Sequence, residues 1–188
     1  MSAPLELPTI VSRAFDVSRR AGYVSFCRNE TGRLLATLAA TRTGTLAEFG
    51  TGCGVGTAWL RSGVRPGAMI LSAELDPRLA GAAQEIFVED PQVEVLAADW
   101  STLRDKGPFS LLFLDSGSPA EVAVDAVADL VEPGGIVVLD DFVPCAGWPP
   151  VSDGRVDSLR EDWLSDERFA SVEVMVATDA AAIIATRR

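Results

Sequence analysis

Four glycines stand at alternate positions in Glu48-Phe49-Gly50-Thr51-Gly52-Cys53-Gly54-Val55-Gly56, between a run that reads as a strand and a segment that reads as a helix. Glycine lets a backbone turn sharply against a ligand, and each one carries an entropic cost that a plain turn does not require. The spacing points to a loop that cradles a small molecule. It is not the dinucleotide pattern, which needs glycine where Val55 or Thr57 stands, and no Gly-Lys-Ser/Thr follows to make a phosphate loop. A tight turn without ligand is the plain alternative.

Carboxylates recur at the ends of the later strand-like runs. Glu74, in Ala73-Glu74-Leu75-Asp76-Pro77, can accept both hydroxyls of a ribose lying across the strand tips. Asp76, just before Pro77, reads instead as the cap of the next helix. Further on, Ala98-Asp99-Trp100 offers a carboxylate for an exocyclic amine and an indole for a purine face, although core packing of Trp100 reads equally well. Asp115 closes the fourth run, and Asp140 with Asp141 the fifth. Hard oxygen ligands of this kind suit Mg²⁺ or another divalent cation. Alternatively, Asp140 and Asp141 begin a solvated loop and Asp115 meets only a cofactor or a helix N-terminus.

The elements that must position these groups follow from periodicity. Ile10, Val11, Ala14, Phe15 and Val17 have helical spacing, as do Leu34, Leu35 and Leu38 within Thr31–Ala40. Strands and helices then alternate: strand Thr45–Phe49, helix Thr57–Arg61, strand Ala68–Glu74, helix Pro77–Phe87, strands Val93–Ala97 and Phe109–Asp115, helix Pro119–Leu130, strand Ile136–Asp140. Leu111–Leu114 and Ile136–Leu139 are continuously apolar, as central strands of a parallel sheet covered on both faces should be. Val172–Ala177 and Ala181–Thr186 are too close for a crossover helix and predict an antiparallel hairpin. The stretch 141–154, rich in proline and glycine, follows a central strand and reads as a substrate loop at the carboxyl edge.

Composition narrows the chemistry. The 188 residues, 48% hydrophobic, fit one domain. Sixteen basic against 27 acidic residues give a formal charge of -11, which disfavours nucleic acid and anionic membrane as partners. No apolar stretch suits a bilayer span and no leader pattern opens the chain, so a cytoplasmic location is expected. Cys27, Cys53 and Cys145 fit neither a disulfide framework nor a zinc site. Histidine is absent and Lys106 is the only lysine, which removes serine-histidine hydrolysis and most Schiff-base schemes.

The order Glu-x-Gly-x-Gly-x-Gly, Glu-x-Asp-Pro, Asp-Trp, Leu-Asp resembles the class I S-adenosylmethionine-dependent methyltransferases. More narrowly the chain is similar to the catechol/caffeoyl-CoA type of O-methyltransferase, from Asn29-Glu30-Thr31-Gly32-Arg33-Leu34-Leu35 to Val176-Ala177-Thr178-Asp179 and the last strand. The resemblance implies a single Rossmann-like, doubly wound α/β domain whose mostly parallel seven-stranded sheet ends in an antiparallel strand. It implies N-terminal helices over the cofactor site (1–42), a cofactor-binding core (43–140), the substrate loop (141–154), and a helix with the C-terminal hairpin (155–188). S-adenosylmethionine would meet Glu48, Gly50 and Gly52 at its methionine half, Glu74 at the ribose, and Asp99 with Trp100 at the adenine; Thr51, Leu75 and Asp115 complete the expected set.

Asp115, Asp140 and Asp141 match the family's ligands for a divalent cation, with Asp141 in place of asparagine. The family's lysine base is replaced by Ser118, which leaves Asp115 as the candidate catalytic group. The implied reaction is O-methylation of a small-molecule hydroxyl, with a homodimer as the expected assembly. A cofactor-binding module without turnover and an NAD-dependent oxidoreductase are the competing readings.

Overall fold

The structure is a computed structural model that describes residues 6–24, 27–115 and 120–188. Two helices come first, α1 (Thr9–Arg20) and α2 (Asn29–Ala39). The alternating core follows: β1 (Leu46–Phe49), α3 (Val55–Gly63), β2 (Ile70–Glu74), α4 (Pro77–Phe87), β3 (Val93–Ala97), a 3-10 helix at Trp100–Lys106 and β4 (Phe109–Leu114). Next come α5 (Val124–Val127), β5 (Val131–Phe142), a small hairpin of β6 (Val151–Ser152) and β7 (Arg155–Val156), α6 (Ser158–Ser165), β8 (Phe169–Ala177) and β9 (Ala180–Arg187).

Seven strands form one sheet in the order β3-β2-β1-β4-β5-β9-β8, parallel through β5. The last strand, β9, pairs antiparallel with both β5 and β8. Successive side chains of a strand face opposite ways, so each continuous apolar run serves two cores. Leu111 and Phe113 pack toward α1–α4, with Leu35, Trp59 and Leu60. Leu112 and Leu114 pack toward Leu103, Val127 and Trp163 on the other side. That is why these runs carry no polar residue.

The helix over Pro119–Leu130 is shorter than the sequence predicts. Pro119 lies outside the described residues, and the helical part is α5 followed by a 3-10 turn at Ala128–Leu130. β5 also starts five residues earlier than expected, at Val131. Gly134 (φ 78°) and Gly135 allow a bulge between the Phe109–Val131 and Leu111–Ile136 pairs, so a segment that looks like a turn continues the strand. The loop expected over 141–154 is partly strand, since β5 runs to Phe142 and β6 opens at Val151.

Two glycines set how closely α2 packs on α3. A Cβ on Gly32 would overlap the Trp59 indole, and one on Gly63 would overlap the backbone of Ala36. Backbone cannot rotate aside as a side chain can. Gly63→Ala is therefore expected to lower stability by about 1–3 kcal/mol, the usual cost of overpacking. Gly81→Ala in α4, where a Cβ would meet nothing within 4 Å, is the control and should be neutral or stabilising. Equal melting temperatures for the two variants would refute the close-packing account.

Candidate functional site

The chain reverses direction across the sheet between β1 and β4, and the crevice at the carboxyl ends of these strands is where open α/β sheets bind ligands. Two cavities lie there. The larger, about 280 Å³, is bounded by Gly50, Glu74, Leu75, Asp99, Trp100 and Asp115 among others. The smaller, about 10 Å³, lies against the glycine loop between Gly50, Gly52, Gly56, Cys27 and Asp115. Tyr23 borders both.

Gly50, Gly52 and Gly54 all have positive φ (93°, 52° and 84°), the left-handed region where other residues are strained. Glu74 at the tip of β2 fixes the loop: its Oε2 accepts from the Gly52 amide at 2.8 Å and its Oε1 from the Asp76 amide at 2.9 Å. Each carboxylate oxygen has a second acceptor site. Glu74 thus shapes the loop while facing the larger cavity. Asp76 caps α4 by accepting from the Arg78 amide at 2.8 Å, as its place before Pro77 predicts.

Leu75 is 73% exposed, an apolar side chain presented to the cavity. Trp100 borders that cavity and stacks on Phe49, with ring centroids 4.8 Å apart. The Arg104 guanidinium lies 4.8 Å from the Trp100 ring. Asp99 is exposed and starts the 3-10 helix, where hydrogen bonds from Ser101 hold its carboxyl below the usual range. An acceptor at the β2 tip, an exposed apolar side chain and an indole edge fit a nucleoside. The adjoining glycine loop fits the tail that follows it.

Glu48 borders neither cavity. It is fully buried beneath the loop, where Thr57 Oγ1 and Ser72 Oγ donate to Oε2, the latter at 2.7 Å. The Thr51 and Ser72 hydroxyls are 2.5 Å apart. Oε1 has no partner among the described residues and lies where a Cβ on Gly56 would stand. Burial drives its carboxyl up to about 7, against the hydrogen bonds of Thr57 and Ser72, with Glu74 adding repulsion. The sequence places Glu48 at the ligand; the structure places it under the loop.

The three aspartates do not gather as expected. Asp140 accepts from Thr31 Oγ1 at 3.0 Å, and Asp141 is exposed with φ 67°. Among the described residues no three acidic, cysteine or histidine side chains come together as a metal-ligand set. Asp115 alone of the three borders both cavities. Burial raises its carboxyl well above the usual range, and Glu48, Asp141, Asp140 and Glu74 raise it further. Burial and four of these carboxylates likewise push the Cys27 thiol up. Ser118, the expected replacement for a lysine base, lies outside the described residues.

Sequence reasoning passed over the hydroxyls of Thr57 and Ser72. A serine inside the otherwise apolar run Ile70–Ala73, level with Glu48 in the β1–β2 pairing, was the available signal. It also passed over Arg160, which is 2% exposed, contacts Asp157 and Glu173 at 3.2 and 3.5 Å, and donates to the Val143 carbonyl at 2.8 Å. Glu173 accepts from the Cys145 amide at 3.3 Å, so α6 and β8 hold the segment that follows β5.

Residues 47–142 match a family model described as a methyltransferase domain. A putative O-methyltransferase of Mycobacterium sp. (strain JLS) is 30% identical over 159 residues, spanning 76% of this chain and 71% of that one. A catechol O-methyltransferase of Mycobacterium tuberculosis is 31% identical over 131 residues, spanning 65% and 59%. Among solved structures, an O-methyltransferase from Bacillus cereus in complex with SAH superposes with a TM-score of 0.78 at 18% identity, over 97% of this chain and 93% of that one. An O-methyltransferase from Streptomyces achromogenes in complex with SAM gives 0.75 at 20% identity, over 97% and 92%.

The raised carboxyl of Glu48 makes stability depend on pH. A group whose folded pKa (about 7) exceeds its ordinary value (4.5) favours folding when protonated, so its contribution falls as pH rises between the two and is flat above. The whole effect is about 3 kcal/mol, at about 1.4 kcal/mol for each pH unit between the two values. Glu48→Gln, which stays neutral, should lack this slope. Urea unfolding of both proteins from pH 4 to 8 measures it; parallel curves would show that Glu48 does not titrate in this interval.

Proposed function

The chain belongs to the methyltransferase domain family, and on that premise we propose that it transfers a methyl group from S-adenosylmethionine to a hydroxyl of a small-molecule acceptor. The observation that carries this reading is the cleft itself: a glycine loop pinned by Glu74 beside a cavity bordered by Leu75, Asp99 and Trp100. Gly50, Thr51 and Gly52 would receive the methionine half, Glu74 the ribose hydroxyls, and Leu75, Asp99 and Trp100 the adenine. When bound, S-adenosylmethionine supplies a methyl group on a sulfonium that leaves as a neutral thioether without being protonated.

The chain's own task is to hold the acceptor oxygen in line and to take its proton. In this reading Asp115 takes it, supported by its position at the border of both cavities and by a carboxyl that burial and neighbouring carboxylates raise above its usual range. Glu48 acts on the cleft only through the loop above it. A divalent cation enters no step of this reading, because the aspartates do not come together as a metal-ligand set. No described helix is long and apolar enough to cross a membrane. A cytoplasmic location and a homodimer belong to the same proposal, and sedimentation tests the latter.

Asp115→Asn is expected to lower kcat by roughly 10²–10⁴-fold, the range for loss of a general base, and, because Asp115 borders both cavities assigned to the cofactor, to weaken S-adenosylhomocysteine (SAH) binding by a smaller factor than it lowers kcat. Steady-state methylation of small phenols and catechols, with calorimetry of SAH, measures both. An unchanged kcat removes Asp115 from the chemistry, and binding without turnover by the wild type leaves the module reading.

Activity should also survive excess chelator. Loss of activity that Mg²⁺ restores would return Asp115, Asp140 and Asp141 to the role of ligands.

A further inference from the structure

Among the described residues, three border both cavities of the cleft: Tyr23, Gly50 and Asp115. Gly50 offers backbone there and Tyr23 a phenol, so Asp115 is the one carboxylate at the boundary. Its position is fixed by the sheet, since its amide donates to the Phe49 carbonyl at 3.0 Å and ties the end of β4 to the end of β1 just before the glycine loop. S-adenosylmethionine has a set covalent order, in which the sulfur joins the ribose to the amino-acid chain. With the nucleoside in the larger cavity and the amino-acid half against the loop, the sulfur belongs at the boundary that Asp115 shares.

No lysine or arginine borders either cavity among the described residues. The arginines of the surrounding elements are engaged elsewhere: Arg28 with Asp179 at 3.0 Å, Arg78 with the Ala21 carbonyl at 3.2 Å, and Arg104 with the Trp100 ring and the Ala126 carbonyl at 3.1 Å. The charged groups that act most on Asp115 are all acidic, namely Glu48, Asp141, Asp140 and Glu74. Like charges so arranged repel, and a positive charge brought among them relieves the repulsion. The two forms of the cofactor differ in that one respect. S-adenosylmethionine carries a sulfonium, whereas SAH, identical but for the methyl group, carries a neutral thioether.

We propose that Asp115 reads the charge on the sulfur, so that the cleft holds S-adenosylmethionine more tightly than its demethylated product. This selectivity rests on the cofactor reading above and adds to it a basis for product release. In a turnover the electron pair of the broken carbon–sulfur bond goes to sulfur, the methyl carbon bonds to the acceptor oxygen, and the acceptor's proton passes to Asp115. Both charges at the boundary are then neutralised together, and the extra hold on the nucleoside is lost with them. Close charge pairs across an interface support a preference of about tenfold, which corresponds to about 1.4 kcal/mol.

Calorimetry at pH 8 without acceptor, with S-adenosylmethionine and SAH as separate titrants, tests this. The wild type should bind S-adenosylmethionine about tenfold more tightly than SAH. Asp115→Asn, which keeps the shape and removes the charge, should bring the two dissociation constants together, with most of the loss falling on S-adenosylmethionine. Sinefungin, which carries an ammonium in place of the methylsulfonium and cannot donate a methyl group, should follow S-adenosylmethionine in both proteins. Asp115→Ser replaces the asparagine variant should that one fail to fold. SAH bound by the wild type as tightly as S-adenosylmethionine, or both ligands weakened equally by the neutral variants, overturns the charge selectivity and leaves the cofactor reading standing. Failure of the wild type to bind either ligand overturns both.

Discussion

A carboxyl group shut away from water holds the centre of this site together. Leaving an isolated charge in such a place costs several kcal/mol, so a buried glutamate must be hydrogen-bonded, protonated or both. Glu48 is hydrogen-bonded, with Thr57 and Ser72 donating to one oxygen, and burial lifts its carboxyl to about 7. Those bonds join β1, β2 and the first turn of α3. They also do work that the sequence cannot do locally, because α3 begins at Gly54, which has no side chain to cap it. A polar group from the neighbouring strand stands in for the missing cap.

From that pin the cleft is built outward. The loop above Glu48 turns through three left-handed glycines, and Glu74 holds it to β2 from the other side. The loop's shape is therefore set twice, from below by a buried carboxyl and from the rim by a half-buried one. Such double fixation preorganises the backbone amides before any ligand arrives. The N-terminal helices add the third wall, with Tyr23 tied to Ser18 and Thr31 tied to Asp140.

What was legible in the sequence is what local pattern dictates. Continuous apolar runs announce central strands, Asp76-Pro77 announces a capped helix start, and the alternating glycines announce the loop; each depends on neighbours within a few residues. Glu48 shows the limit. Its place at the head of the glycine motif suggests contact with a ligand, yet its partners Thr57 and Ser72 are 9 and 24 residues away, and only the β1–β2 register brings Ser72 beneath the loop. The three aspartates depend on tertiary placement in a similar way. They end adjacent strands, but Thr31 from α2 takes Asp140, and the left-handed backbone at Asp141 belongs to an exposed position. Strand order predicts neighbourhood. It does not predict where a side chain points once a third element competes for it.

The absence of histidine and the remoteness of the only lysine then become intelligible. A hydrolase must activate a weak nucleophile and expel a poor leaving group, which calls for bases and acids poised near neutrality. Methyl transfer from a sulfonium needs neither an acid nor a charged electrophile supplied by the protein, since the leaving group departs as a neutral thioether. What remains is alignment and removal of one proton, and alignment is a property of backbone and packing rather than of reactive side chains. A site furnished with carboxylates, hydroxyls and glycine amides is sufficient for that. Burial raises the Asp115 carboxyl and the charges of Glu48, Asp141, Asp140 and Glu74 add to it, so the acidity that disfavours nucleic acid as a partner also acts on the group proposed as base.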